Sequence, residues 1–156
     1  PEPGRVTPDI PTLKRRAEFV RAARAGWKWA TPGMIVQKYR RSAADAEGTP
    51  TGAVRVGFTT SRKVGKAVAR NRARRRLREV ARAILPEQAE AGCDYVIIGR
   101  VETVTRPFTA LLDDLTKAIG RLRSVEGKRS AHGVPRRARR RLRRDETAAG
   151  HLGRSQ

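Results

Sequence analysis

VRVGFTTSRKVGKAVARNRARRRLREVAR, residues 54–82, decides the fold. Val54, Val56 and Phe58 alternate with Arg55, Gly57 and Thr59, which predicts a strand with one apolar face and one open face of small, polar and basic residues. A Ser61-Arg62-Lys63 turn follows, and the hydrophobic period then changes. At about 100° per residue, Ala73, Leu77, Val80, Ala81 and Ile84 share one helical stripe that can pack on a core. Lys66 and Arg70 continue that stripe but are charged, so the first turns are expected to overhang the packed layer beside the end of the strand. Asn71, Arg74, Arg75, Arg78 and Arg82 fan over the exposed side, with Arg72 and Arg76 further round. One helix thus presents two basic surfaces, with Glu79 the sole acid among them. A solvated helix face normally mixes charge signs at i to i+4 spacing, and neighbouring arginines repel each other unless phosphates screen them. The helix therefore calls for a polyanion.

Composition points the same way. The chain has 156 residues, 38% hydrophobic and 33% charged, with a formal net charge of +21. This fits one small domain with polar extensions and a nucleic-acid partner ahead of an anionic membrane. No apolar run approaches the roughly 20 residues that span a bilayer, and no signal-peptide pattern opens the chain, so no membrane partner is expected and the cytoplasm is the expected location. The single cysteine, Cys93, has no disulfide partner, and the two histidines, His132 and His151, lie in the C-terminal extension, which leaves no Cys-His pair or zinc-ligand spacing. No catalytic or metal-binding residue is assigned. Nucleases that use two metal ions gather several carboxylates around them. Here Asp113 and Asp114 fall on a helix flank, Glu79 sits among arginines, and Glu87, Glu90 and Asp94 surround a loop and a strand entry, where they read as solvated surface acids. These features describe a binder.

Residues 1–12 contain Pro1, Pro3, Pro8 and Pro11 and are expected to form a disordered extension; the missing opening methionine suggests a processed or trimmed start. A first helix is expected from an N-cap at Thr12 to Ala25, with Leu13, Ala17 and Val20 as its apolar stripe, Gly26 as its stop and Phe19 at the border of the core. Trp27 and Trp29 flank Lys28, and Met34 to Arg40 reads as a strand with Met34 and Val36 inward and Ile35, Gln37 and Tyr39 on the other face. Ser42 to Ala53 is a loop, and so is Pro86 to Gly92. Tyr95-Val96-Ile97-Ile98 is a continuous apolar run, as in a buried central strand. Phe108, Leu111, Leu112, Leu115, Ile119 and Leu122 form the stripe of a last helix that starts near Thr105 and Pro107. Beyond Ser124 the apolar period ends, so residues 13–123 are expected to form the domain and 124–156, with an arginine cluster at 136–144, a basic disordered tail. The order of elements predicts an α+β two-layer sandwich with helices on one face of the sheet.

Ser61-Arg62-Lys63-Val64-Gly65-Lys66-Ala67-Val68-Ala69-Arg70-Asn71-Arg72, preceded by Arg55-Val56-Gly57-Phe58, resembles the Arg-Asn-Arg signature of the bacterial ribonuclease P protein subunit. The resemblance runs from about Leu13 to Leu122 and includes Leu13-Lys14-Arg15, Glu18-Phe19 and Asp94-Tyr95-Val96-Ile97-Ile98. It implies a fold shared with a domain of a small-subunit ribosomal protein, in which strand, basic helix and strand form a left-handed crossover against the usual right-handed rule. It also implies that the chain binds a catalytic RNA subunit and precursor tRNA. In that scheme the RNA, with magnesium ions, cleaves off the 5′ leader, and the protein itself carries no cofactor; no stable protein partner is expected. Carried over residue by residue, Phe19, Ile35, Gln37, Thr59, Lys63, Arg70 and Asn71 match the positions that hold the leader, and Arg72, Arg74, Arg75 and Arg78 match the surface on the catalytic RNA. Two departures matter: Ala23 stands where many relatives have a second aromatic, and Gln37 where some have tyrosine. A ribosomal or RNA-chaperone protein would share the charge without needing the strand, turn and Arg-Asn-Arg combination. A DNA-binding regulator would need a recognition helix with a partner helix.

Overall fold

The computed structural model describes residues 9–45 and 48–130. Residues 1–8, the arginine cluster at 136–144 and both histidines lie outside this range. Four strands form one mixed sheet: β1 (Trp27–Ala30), β2 (Met34–Arg40), β3 (Arg55–Thr59) and β4 (Cys93–Gly99), in the order β1-β2-β4-β3. β1 and β2 are an antiparallel hairpin, β2 pairs antiparallel with β4, and β3 lies parallel beside β4. The parallel pair requires a crossover, and the helix predicted after β3 supplies it: α2 (Ala67–Gln88).

The main core lies on one side of the sheet. Met34, Val36, Val56, Tyr95 and Ile97 meet Leu77, Val80, Ala81 and Leu85 of α2 and Leu111, Leu115, Ile119 and Leu122 of α3 (Phe108–Ser130). The stripes of both long helices read from sequence are buried, with Ile84 and Leu112 at the edge, except that Phe108, in the first turn of α3, is 39% exposed because the stripe starts there before the helix has reached the sheet.

The first helix departs from expectation in position and in layer. α1 spans Arg16–Ala25 and lies on the opposite face of the sheet, where Ala22 and Phe19 pack with Leu13, Val96 and Ile98. The α+β architecture stands, but the helices do not all share one face. Val96 and Ile98 of the central strand supply the reason: their side of β4 is apolar and must also be covered. The helix starts late because the backbone before it is already paired. Val56 N donates to Pro11 O at 3.0 Å and Leu13 N to Val56 O at 2.9 Å, so Pro11 to Leu13 lie along β3 rather than in an extension or a helix. Leu13 is therefore buried without being helical, and Ala17 is exposed. Instead of Thr12, Glu18 reaches back to cap the helix, accepting from Lys14 N at 3.0 Å and Arg15 N at 3.2 Å.

Two helix ends also lie beyond their predicted positions. α2 continues through Pro86 to Gln88. A proline loses its N–H and crowds the carbonyl four residues back, but in the last turn this disturbs little, and the turn is held by buried Leu85 and by Ala89 N donating to Leu85 O at 3.0 Å. α3 runs on to Ser130, past the expected boundary at 123. The anchor of this extra length is polar: Lys38, 1% exposed on the core side of β2, donates to Glu126 of α3 and to Glu90 at 2.6 Å. Arg40 joins the same pair at 2.6 Å from each. Among the described residues no helix is long and apolar enough to cross a membrane.

Candidate nucleic-acid interface

The face of the sheet that carries α1 is built of cross-strand rows. Register places Tyr39, Asp94 and Arg55 in one row, Gln37, Val96 and Gly57 in the next, and Ile35, Ile98 and Thr59 in the third. α1 covers the first two. Phe19 packs so closely on Gly57 that a Cβ there would collide with its ring. Arg21 lies over the Tyr39 ring, 4.9 Å from its centroid, and reaches Asp94 at 3.4 Å. The third row stays half-exposed, with Ile98 also touching the cluster under α1, and the strip of sheet it floors beside α1 is termed the channel.

The channel is bordered by the segment that leaves β3. A short 3-10 turn at Arg62–Val64 carries Lys63 into solvent, and Gly65, at φ 145, redirects the chain into α2. This backbone conformation favours glycine, and a Cβ would also meet the Ala69 Cβ at 2.9 Å. α2 begins at Ala67 with no side-chain cap from Lys66. Its first N–H groups are therefore left for a ligand or water, and the positive end of the helix dipole coincides with Lys63, Lys66 and Arg70. Such an end attracts anions. Arg70 is half-buried and Asn71 exposed.

Of the residues assigned to the leader, Ile35 and Thr59 lie in the half-exposed third row, and Lys63, Arg70 and Asn71 lie on the segment that leads from β3 into α2. Phe19 forms the adjacent wall, with its ring committed to packing on Gly57. Gln37 is 9% exposed and has little surface to offer. Ile98 completes the floor; the apolar run that contains it gave no sign of its face.

The outer side of α2 carries Arg72 and Arg75, both exposed, and Arg74, whose guanidinium donates to Asn71 Oδ1 at 2.6 Å. That bond links the two basic surfaces at their border. Arg78 is exposed beside the Phe58 ring, 6.0 Å from its centroid. Arg76 differs from its neighbours. It donates to the carbonyls of Thr103 at 2.8 Å, Val104 at 2.9 Å and Arg106, and so pins α2 to the segment before α3.

Of the acids read as solvated surface groups, Glu79, Glu87 and Asp113 are exposed as expected, but Glu90 is half-buried and Asp94 and Asp114 are buried. Asp94, 1% exposed, accepts from Arg41 at 2.5 Å and Arg55 at 2.8 and 2.9 Å, besides Arg21. Asp114, 4% exposed, accepts from Gly33 N at 3.0 Å and Arg106 at 2.7 Å. Burial alone would raise the Asp45 carboxyl, but the backbone N–H and hydroxyl of Ser42 and the Tyr39 hydroxyl hold it down to about 2. Burial and the bond to Asp45 in turn push Tyr39 up to about 12. These carboxylates are engaged in neutralising arginines of the scaffold. Cys93 is buried, and burial raises its thiol.

Comparison with known proteins agrees with this geometry. The ribonuclease P family model matches residues 8–123. The ribonuclease P protein component of Paramagnetospirillum magneticum is 52% identical over 116 residues, 73% of this chain and 84% of that protein. The one from Ruegeria pomeroyi is 53% identical over 114 residues, 72% and 86% of the two chains. Among solved structures, the Staphylococcus aureus RNase P protein superposes with a TM-score of 0.57 at 21% identity, over 72% of this chain and 94% of that one. The Thermotoga maritima RNase P protein gives 0.55 at 24%, over 68% and 92%; at such identities the structures speak for the fold alone. A family match across most of the described residues, two relatives above half identity and the strand, turn and Arg-Asn-Arg helix in their expected places make this chain a member of the ribonuclease P protein family.

Proposed function

We infer that the chain works as the RNA-binding protein subunit of ribonuclease P, holding the single-stranded 5′ leader of precursor tRNA in the channel over Ile35, Ile98 and Thr59. Lys63, Arg70, Asn71 and the uncapped start of α2 take the leader's phosphates. Ile35 and the edge of Phe19 offer apolar contact to its bases, and the lack of a second aromatic at Ala23 leaves stacking a smaller share than phosphate contact. The outer arginines, Arg72, Arg74, Arg75 and Arg78, hold the catalytic RNA, chiefly through phosphates. Hydrolysis belongs to that RNA and its magnesium ions. The protein's part is to keep substrate and catalyst together and to offset their mutual repulsion.

The observation that carries this reading is the position of α2. It stands between a half-exposed strip of sheet and open solvent, and its Arg70, Arg72 and Arg75, with Lys63 and Lys66 before it, meet no carboxylate among the described residues, whereas the cations of the scaffold are paired. A ribosomal or chaperone role would not need a channel one strand-row wide with an anion-attracting helix start at its edge. The test is cleavage of precursor tRNA by the cognate RNA subunit at low magnesium, with and without the protein. The protein should restore cleavage that the RNA alone has lost, and it should cleave nothing by itself. Equal rates with and without it would overturn the assignment.

A further inference from the structure

Across β3 from the channel, on the side of the sheet that carries α2, a groove of about 420 Å³ opens between residues 9–14, β3 and α2. That volume lies within the roughly 300–1,000 Å³ of small-molecule sites. Its floor is apolar, built from Val56, Phe58 and Ala81, and its rim carries Lys14, Arg78 and Arg82. Among the described residues one acid opposes these three cations: Asp9, 3.8 Å from Arg82, with both side chains largely in solvent. A pair so exposed adds little and does not occupy Arg82.

The groove follows from how the edge of the sheet is finished. β3 is an edge strand. Its free edge is covered by Pro11 to Leu13, whose pairing is confined to Val56. The chain then leaves for α1 on the other face, so among the described residues no strand pairs with the outer edge of β3 at Phe58, two residues further along. Its ring stays half-buried beside the Arg78 guanidinium. An aromatic ring flanked by a planar cation is a stacking site for another flat group. Two more cations at the rim require that group to carry negative charge. A bare phosphate would not need the apolar floor, and an apolar peptide would not need the rim.

We propose that this groove seats one unpaired nucleotide of the catalytic RNA, its base against Phe58 and Arg78 and its phosphates against Lys14 and Arg82. The choice of that RNA rests on the assignment of the outer face of α2 made above, since Arg78 belongs to both surfaces and the groove continues that face by one helical turn. The leader channel opens on the other side of the sheet. The groove thus adds to the phosphate contacts of Arg74 and Arg75 a contact that depends on a base being free to leave its stack.

The experiment measures binding of the full-length protein to the catalytic RNA across a salt series, together with chemical probing of the RNA at nucleotide resolution. Phe58→Leu keeps an apolar side chain and removes the ring; Arg78→Lys keeps the charge and removes the plane. Each should weaken binding about tenfold with an unchanged salt slope, because no charge is lost. In both, the same single nucleotide, protected by the wild-type protein, should become reactive. Arg82→Gln should instead lower the slope by about one. Should Phe58→Leu lose its cooperative unfolding transition, Arg78→Lys, a change at an exposed side chain, decides the matter alone. Wild-type affinity and an unchanged probing pattern in the folded variants overturn the proposal. So does an effect of Arg78→Lys confined to precursor binding by the assembled holoenzyme, which would place the leader in the groove. Arg74→Ala with Arg75→Ala separates the two levels. If it leaves affinity for the catalytic RNA intact, the assignment of the outer face fails; if it weakens binding while Arg78→Lys and Phe58→Leu do not, only the groove fails.

Discussion

Two ends of the same sheet carry dense positive charge and use it in opposite ways. At the end where β2 finishes and β4 begins, Arg21, Lys38, Arg40, Arg41 and Arg55 are each paired with Asp45, Glu90, Asp94 or Glu126. At the other end, where β3 leads into α2, Lys63, Lys66, Arg70, Arg72 and Arg75 meet no carboxylate among the described residues. Charge count does not distinguish the ends; partners do. A paired cation holds elements together, and an unpaired one on a rigid helix is available to an outside polyanion.

That contrast can be broken most forcefully at Asp94. Asp94→Asn leaves Arg41, 3% exposed, and Arg55, 12% exposed, without their shared counter-charge. Removing one partner from a buried ionic group costs about 3–5 kcal/mol. A large fall in the denaturation midpoint is expected, with the salt slope for catalytic RNA unchanged in whatever protein remains folded. A stable variant would show that the paired end is not a scaffold.

Glu126 tests the same end more mildly. Glu126→Gln leaves buried Lys38 with Glu90 alone, at a cost of about 1–3 kcal/mol. Burial pulls the Glu126 and Glu90 carboxyls upward, but the bonds from Arg40 and Lys38 to Glu126, and from Lys38 to Glu90, hold both below the ordinary 4.5. A depressed carboxyl contributes stability that is fully present above its unfolded value and is lost as pH falls through its folded one. The gap between wild type and Glu126→Gln should therefore be constant near neutrality and close in acid. A gap that widened as pH fell would contradict the pairing. Truncation after Arg123 should reproduce the loss, since it also removes Glu126.

The smallest effects separate the two sides of α2. Lys63→Ala with Arg70→Ala should weaken binding of a precursor with a leader of several nucleotides by a few fold to about tenfold, and barely change one with a single-nucleotide leader. Arg74→Ala with Arg75→Ala should weaken holoenzyme assembly equally for both and lower its salt slope by about two. Equal losses from both double variants on both substrates would merge the surfaces into one. The bond from Arg74 to Asn71 marks where such merging would begin.

Much of this organisation was legible beforehand because it is periodic. The alternation of Val54, Val56 and Phe58, the stripe of Ala73, Leu77, Val80 and Ala81 and that of Leu111, Leu115, Ile119 and Leu122 each report a local period. The continuous run from Tyr95 to Ile98 reports burial on both faces. Lys38 and Asp94 were not legible as buried groups. Each sits at a position where alternation fits an exposed or a core-facing side chain, and each is buried because its partner arrives from 52 to 88 residues away or, for Asp94, 39 to 73 away. Arg76 and Arg75 are neighbours in an unbroken basic run, yet only Arg76 meets a row of free carbonyls.

The sequence by itself determined the α+β class, the order of the elements, the two long amphipathic helices and the presence of an unneutralised basic helix, because these depend on periods and charges within a few residues of one another. Only the tertiary structure decided that α1 covers the far face of the sheet, that the chain before it finishes the edge of β3, and which arginines are spent on Asp94, Glu90 and the carbonyls before α3. Those outcomes depend on contacts between segments far apart in the chain. A side chain's surroundings there are set by where the backbone returns, and no local pattern records it.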